Sequence, residues 1–254
     1  MSYNTKEGDA YNLTFSQKAY RAFKAFMDFC VALIALIILI PIFLLVAIAI
    51  KVDSKGPVFF VQKRIGKDGK LFNCIKFRTM STAARHDVAG YEYEEVSSYI
   101  TKVGKFLRKL SIDELPQLYN VLAFQMSLIG FRPSQVCETE LNTEREKYNL
   151  YQIRPGISGW AQVNGRDVLA AQPKKKAAFD AYYLQNLSLW LDIKIFFMTI
   201  VKVFKGDSVE EGVLERLDQG GEAPHVPMRE EVASSASVED IVVEVEKAET
   251  IRGE

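Results

Sequence analysis

The chain has 254 residues, enough for one medium domain with appendages, and its 32 Lys and Arg balance 32 Asp and Glu to a formal net charge of zero. No global field therefore points to nucleic acid. The two histidines, His86 and His225, neighbour no candidate nucleophile, and Cys30, Cys74 and Cys137 have no metal spacing. Triad hydrolysis and zinc chemistry are left without support, and the cysteine usage suits a reducing compartment.

Residues 1–17 form a polar N-terminus, of which 1–15 are expected to be mobile. From residue 16 to 28, Tyr20, Phe23, Phe26 and Met27 alternate with Lys18, Arg21 and Lys24, an amphipathic lead-in. Phe29 to Ile50 is an uncharged apolar run of twenty-two residues, and a bilayer core takes about 20 in helix. Lys18, Arg21 and Lys24 precede the run and Lys51 and Lys55 follow it. Basic residues mark the cytoplasmic side, so both ends read as cytoplasmic. Pro41 lacks an N–H and crowds the carbonyl of Ile37, which predicts a bend. Two readings fit: a re-entrant hairpin that enters one leaflet and returns, and a spanning helix with a tolerated proline. The run begins late and leads into Lys51-Val52-Asp53 without a small-residue cleavage site, so no cleavable signal is expected.

Ser54-Lys55-Gly56-Pro57 is a turn signal. Val58 to Gln62 and Leu71 to Phe77 read as strands joined through Lys67-Asp68-Gly69-Lys70, a small β-hairpin. Residues 82–98 are polar and read as a surface excursion. Lys102 to Leu110 reads as helix, and a second helix is expected from about Asp113 to Leu122. Residues 183–204 are apolar but interrupted by Asp192, Lys194 and Lys202. A helix lying in the membrane interface fits them, and a buried core helix is the competing reading. The chain is net basic to about Lys205 and acidic from Asp207 on. Residues 207–254, with Pro224, Pro227 and an Ala-Ser-Ser-Ala-Ser stretch, read as a disordered tail. The expected organisation is a membrane helix over 18–51, a cytosolic catalytic domain over 52–206 and the tail.

The remaining polar chemistry is carboxylate with arginine and lysine, a set suited to phosphoryl transfer, in which cations hold phosphates and an oxygen attacks phosphorus. Arg108-Lys109-Leu110-Ser111-Ile112-Asp113-Glu114-Leu115-Pro116 joins two predicted helices. Ser111 and Glu114 have capping-box spacing, the bland reading of Glu114. Asp113 falls at a helix start, where the dipole favours an anion and attracts phosphate. Arg132 precedes Pro133, which forces an extended backbone and projects the guanidinium towards phosphate or into a surface ion pair. Arg154-Pro155-Gly156-Ile157-Ser158-Gly159-Trp160-Ala161-Gln162-Val163-Asn164-Gly165-Arg166 suits a nucleotide or sugar, or equally a structural turn.

Taken in order, Lys76-Phe77-Arg78-Thr79-Met80, Leu110 to Leu118, Met126 to Pro133 and Arg154 to Arg166 resemble the bacterial sugar transferase family, the monotopic phosphoglycosyl transferases. The likeness covers about residues 18–206 and is closest to the small members. The resemblance implies an α/β membrane-associated fold: a re-entrant hairpin broken at Pro41, a mostly helical catalytic domain with a small β-hairpin, and interfacial amphipathic helices. It implies Asp113 and Glu114 as a catalytic dyad that also holds Mg²⁺. Asp113 would attack the β-phosphorus of a UDP-sugar and expel UMP, and undecaprenyl phosphate would take the sugar phosphate from the aspartyl ester. Lys76, Arg78, Arg108 and Arg132 would bind phosphate, with Arg154, Gln162, Asn164 and Arg166 as further substrate contacts. The implied setting is the cytoplasmic leaflet of a bacterial inner membrane, with downstream glycosyltransferases or a second copy as partners and no nucleic acid. Three positions depart from the family pattern: Ile40 stands where Ser often precedes the proline, Phe124-Gln125 where Gly-Asp is usual, and Phe131 where Pro is usual. The alternative function is a catalytically weak member serving as a membrane-bound assembly partner. A one-span anchor carrying a binding module would explain the apolar run but not the ordered motifs.

Overall fold

The computed structural model describes residues 11–82, 99–165 and 172–205. Most of the polar excursion, Arg166, both histidines and the acidic tail lie outside the described residues. Of residues 11–14, Tyr11 and Leu13 are held against the body while Asn12 and Thr14 are exposed. Leu13 is buried in the main core, and the Tyr11 hydroxyl donates to Gln17 at 2.7 Å. Thr14 then starts helix α1, Phe15–Asp53. Its hydroxyl accepts the Gln17 N–H at 3.3 Å, and the Gln17 side chain accepts the Thr14 N–H at 3.0 Å. This reciprocal cap satisfies two of the helix's orphan donors.

Helix α1 has 39 residues and runs unbroken through Pro41, where a hairpin break was expected. It is long and apolar enough to cross a membrane. At 1.5 Å per residue it extends roughly 58 Å, about twice a hydrocarbon core. Yet it touches the folded body along its length. Asp28 accepts the Ser127 hydroxyl at 2.5 Å. Ala32, Ala35, Leu36 and Leu39 pack with Phe72, Leu118, Val121 and Met126. Beyond Pro41, Phe43, Val46 and Ile50 pack with Phe77 and Leu107. Asp53 accepts the Val103 N–H at 3.0 Å. The 3.6-residue period puts these positions on one stripe. Ile34, Ile37, Ile38, Leu44, Leu45 and Ile48 occupy the rest of the surface and are exposed.

The hairpin forms as expected, with β1 at Phe59–Ile65, β2 at Leu71–Phe77 and a 3₁₀ turn at Lys67–Gly69. The strands pair antiparallel with Phe59 opposite Phe77 and Ile65 opposite Leu71. Asp68 takes the left-handed φ of 57° that the turn demands. After Thr79, helix α2 (Lys102–Lys109) lies across the end of β2. Gly104 permits this approach, since a Cβ there would sit 2.0 Å from the Thr79 carbonyl oxygen.

The expected second helix is divided. A 3₁₀ turn at Ile112–Glu114 precedes α3, Gln117–Leu122. Next come β3 (Ser127–Ile129), α4 (Thr139–Lys147), β4 (Gly156–Ser158) and α5 (Trp160–Val163). β3 and β4 pair in parallel, Ser127 with Gly156 and Ile129 with Ser158. This ties the two glycine-containing motifs together. A Cβ on Gly159 would meet the Gly130 carbonyl oxygen at 1.8 Å, so only glycine fits that crossing.

Two helices close the body, α6 (Pro173–Gln185) and α7 (Leu189–Lys205). The expected helix over 183–204 is corrected at its start, because Tyr183 and Leu184 belong to α6 and are fully buried. The break at Asn186-Leu187-Ser188 separates the two. α7 is two-faced. Leu191 and Ile195 enter the core, while Trp190, Ile193, Phe196, Phe197 and Val201 are exposed. Asp192, which interrupts the apolar pattern, points inward. It accepts the Tyr20 and Tyr183 hydroxyls at 2.6 Å each and pairs with Lys24 at 2.7 Å. That knot fastens α7 to α1, so the two exposed apolar faces are carried on one body.

Candidate active site

Ser111 determines the shape of the Asp113–Glu114 turn. Its φ of 54° is left-handed and its side chain makes no capping bond, which corrects the capping-box reading. Its N–H instead returns to the Arg108 carbonyl at 3.1 Å. Ser111 thus closes α2, taking the left-handed position that follows a helix C-cap. Asp113 accordingly sits on a 3₁₀ turn of three residues rather than at the start of a long helix. The dipole contribution expected there is correspondingly small.

The two carboxylates have different surroundings. Glu114 is buried, and its Oε1 accepts from Lys76 Nζ at 2.9 Å and Arg132 Nη2 at 2.8 Å. Asp113, one residue earlier on the turn, is half-buried. Lys76 comes from β2 and Arg132 from the loop after β3, so Glu114 joins two segments far apart in sequence. Glu114 raises the Arg132 guanidinium above its ordinary range, outweighing burial. Burial pulls the Lys76 ammonium down, with Glu114 opposing.

Arg64 was not singled out in the sequence, yet it belongs to this cluster. Burial lowers it first and the Arg132 charge second. Its guanidinium donates to the Pro133 carbonyl at 3.1 Å and to Gln62 at 2.6 Å. The period-2 spacing of Gln62 and Arg64 within a strand was the available signal. Arg64, Lys76 and Arg132 thus bring three cationic side chains to the neighbourhood of Glu114. An incoming diphosphate would be stabilised there.

Arg108 lies on α2. Its Nε donates to the Thr79 hydroxyl at 2.9 Å. Arg78 faces elsewhere: it donates to the carbonyls of Lys55 at 2.5 Å and Ser54 at 2.9 Å, clamping the end of α1. The third motif is also turned towards its own backbone. Gln162 Nε2 donates to the Ile157 carbonyl at 2.9 Å and Asn164 Nδ2 to the Trp160 carbonyl at 2.8 Å. Arg154 lies over the Phe124 ring, 5.1 Å from its centroid, and lines a different cavity. The structure therefore groups Lys76 and Arg132 with Glu114, and gives Arg78, Gln162 and Asn164 backbone-holding contacts.

Two of the unusual loop residues have structural explanations. Phe131 is buried edge-on to Tyr151, with the Arg145 guanidinium 5.0 Å above its ring. Gln125 accepts from Asn120 Nδ2 at 2.8 Å. Asn120 also accepts the Ile75 N–H at 3.1 Å and donates to the Asn73 carbonyl at 2.7 Å, which holds α3 on β2.

Among the described residues no group of three or more His, Cys, Asp or Glu could form a metal cage. Mg²⁺ does not require one, since it keeps several waters and binds through one or two carboxylates plus substrate phosphates. Asp113 and Glu114 fit that limited role.

Lys176 on α6 lies near the Arg145–Asp180 pair. Burial and then the Arg145 charge pull it down to about 8, with Glu138 and Asp180 opposing. A lysine depressed in the folded state binds fewer protons there than in the unfolded chain between that value and its ordinary one, so stability rises with pH across that window. We expect the Lys176→Met variant to lack this rise. Urea unfolding between pH 7 and 9.5 should find the variant's advantage over wild type largest at pH 7 and shrinking above pH 8. A gap independent of pH would contradict the assignment.

Residues 19–206 match the bacterial sugar transferase family. A UDP-N-acetylgalactosamine-undecaprenyl-phosphate N-acetylgalactosaminephosphotransferase of Aeromonas hydrophila is 43% identical over 169 residues, 65% of this chain and 40% of that protein. A UDP-glucose:undecaprenyl-phosphate glucose-1-phosphate transferase of Klebsiella pneumoniae is 44% identical over 170 residues, 65% of this chain and 36% of that protein. An uncharacterized sugar transferase of Bacillus subtilis is 41% identical over 170 residues and is covered to 80%. The chain thus spans well under half the length of the first two relatives and most of the third.

Proposed function

The chain belongs to the bacterial sugar transferase family, and from that premise we propose that it transfers a sugar 1-phosphate from a UDP-sugar to undecaprenyl phosphate. Both substrates are named in the activities of the Aeromonas and Klebsiella relatives. The observation that carries the reading is the dyad: a buried Glu114 held by Lys76 and Arg132, next to a more accessible Asp113.

In this reaction an Asp113 carboxylate oxygen attacks the sugar-bearing phosphorus. The bond from that phosphorus to the bridging oxygen breaks, and UMP leaves with the oxygen and its electron pair. The sugar phosphate is then esterified to Asp113. An oxygen of undecaprenyl phosphate attacks the same phosphorus and returns the carboxylate, giving a lipid diphosphate sugar. Arg132 and Lys76, aligned by Glu114, hold the charge that builds on the phosphoryl oxygens, and Arg108 adds a cation from α2. Mg²⁺ would be held by Asp113 and Glu114 and would neutralise diphosphate charge.

The substrate lipid sets the location. We place α1 in the cytoplasmic leaflet of the inner membrane as a re-entrant element, with α7 lying in the interface. Contacts from Asp28 to Asp53 with a single body support this, because a free crossing would separate one end from that body. The exposed apolar faces of α1 and α7 supply the seat.

UMP release measured over a panel of UDP-sugars, with and without undecaprenyl phosphate, tests the reaction. At least one donor should release UMP, and the lipid phosphate should make release catalytic. Absence of release from every donor would favour the alternative of an assembly partner. For the membrane seat, Phe15→Cys and Lys55→Cys, made with Cys137 replaced by Ser, should both be labelled from the cytoplasmic side only. Labelling of position 15 from outside would restore a spanning helix.

A further inference from the structure

A cavity of about 260 Å³ lies beside the first turns of α1 and is lined by none of the dyad's residues. Lys18, Arg21, Lys24, Asp28, Ser127 and Arg154 contribute its polar wall. Its charge is poorly balanced. Lys24 is engaged by Asp192 at 2.7 Å and Asp28 at 3.5 Å, and the other oxygen of Asp28 is taken by Ser127. Arg21 donates to the Gln152 carbonyl at 2.9 Å but meets no carboxylate in ion-pair reach among the described residues. Arg154 makes neither a hydrogen bond nor an ion pair among them. Its half-buried guanidinium rests on Phe124, with the Asp28 carboxylate of the same cavity acting on it and five donors to offer. An anion entering the cavity would accept from them.

Apolar surface adjoins these cations. Ala22, Ala25, Ile129, Ile153 and Leu187 line the same cavity. Phe124, exposed under the Arg154 guanidinium, stacks on Phe29 with centroids 5.6 Å apart. Cations beside apolar surface match a molecule with a phosphate head and acyl chains. We infer that this cavity binds the headgroup of an anionic phospholipid, separately from donor and acceptor, and pins the start of α1 to the bilayer surface. The inference rests on the membrane seat given above but not on the reaction.

Native mass spectrometry of the full chain in neutral detergent tests it. Phosphatidylglycerol and phosphatidylcholine with identical acyl chains are added in parallel. One phosphatidylglycerol per chain should be retained, about tenfold in preference to phosphatidylcholine. Arg154→Gln and Arg21→Gln should each lower that adduct by about tenfold, while Lys63→Gln, on the exposed edge of β1, should not. Millimolar inorganic phosphate should leave the adduct in place. Equal retention of both lipids, or full retention by both cavity variants, would overturn the inference. Displacement by inorganic phosphate would overturn the lipid as the source and leave a free-anion site. No UDP-sugar is present, and Asp113→Asn protein should bind the lipid as wild type does. A failure of the proposed reaction therefore cannot be mistaken for a failure of this site.

Discussion

Asp113→Asn is expected to abolish UMP release, both with and without undecaprenyl phosphate. The amide has the shape of the acid, so the 3₁₀ turn and its neighbours should persist, but its oxygen cannot displace UMP from phosphorus. Loss in the absence of acceptor is the informative half, because only the first displacement occurs there. The expected reduction is about 10³-fold or more, the scale seen when a covalent nucleophile is removed. Glu114→Gln should differ. Glutamine can still accept from Lys76 and Arg132, which now bond the Glu114 carboxylate at 2.9 and 2.8 Å, but the negative charge that orders those cations is gone. A severe but incomplete loss follows. Mass spectrometry of wild type quenched after donor addition should locate the sugar phosphate on Asp113. Substantial UMP release by Asp113→Asn would remove it as the nucleophile.

The parts legible in the sequence were those fixed by local chemistry. The hairpin was announced by two apolar runs and Asp68-Gly69, and it forms, with the first strand running on past Gln62 to Ile65. The 102–110 helix was also legible, ending one residue early at Lys109. Ser111 was misread because its spacing to Glu114 satisfies the capping pattern, while the residue is claimed by the helix before it. The Ser111 N–H returns to the Arg108 carbonyl and its φ is left-handed, a backbone outcome that side-chain spacing does not record.

The motifs pointed to Lys76, Glu114 and Arg132, which the structure brings into contact, but not to the residues that support them. Arg64 was hidden because the expected strand stops at Gln62, whereas β1 runs on to Ile65 and carries Arg64 against the Pro133 carbonyl. The parallel pairing of β3 and β4 links residues about thirty positions apart and carries no short-range signal. Arg154 was read with the substrate residues through its motif. Its side chain leaves that motif and enters another cavity.

The second large effect is expected from Asp180→Asn. Asp180 and Arg145 form an ion pair at 2.6 Å with side chains 1% and 0% exposed. Removing one charge leaves the other buried without its counter-charge, a loss of about 3–5 kcal/mol. Thermal or urea unfolding in detergent should register it. The pair also reaches the site, since Arg145 Nη1 donates to the Arg132 carbonyl at 2.9 Å and the guanidinium covers Phe131. Stability and placement can be separated by the double variant Arg145→Met with Asp180→Leu. Apolar side chains of similar volume often replace a buried pair with little loss, so most of the stability should return. The bond to the Arg132 carbonyl does not return, so the KM for the UDP-sugar should remain raised even where the fold is restored. A double variant as unstable as Asp180→Asn would show that the loss is not one of uncompensated charge. Wild-type KM in a restored fold would show that Arg132 holds its place without Arg145.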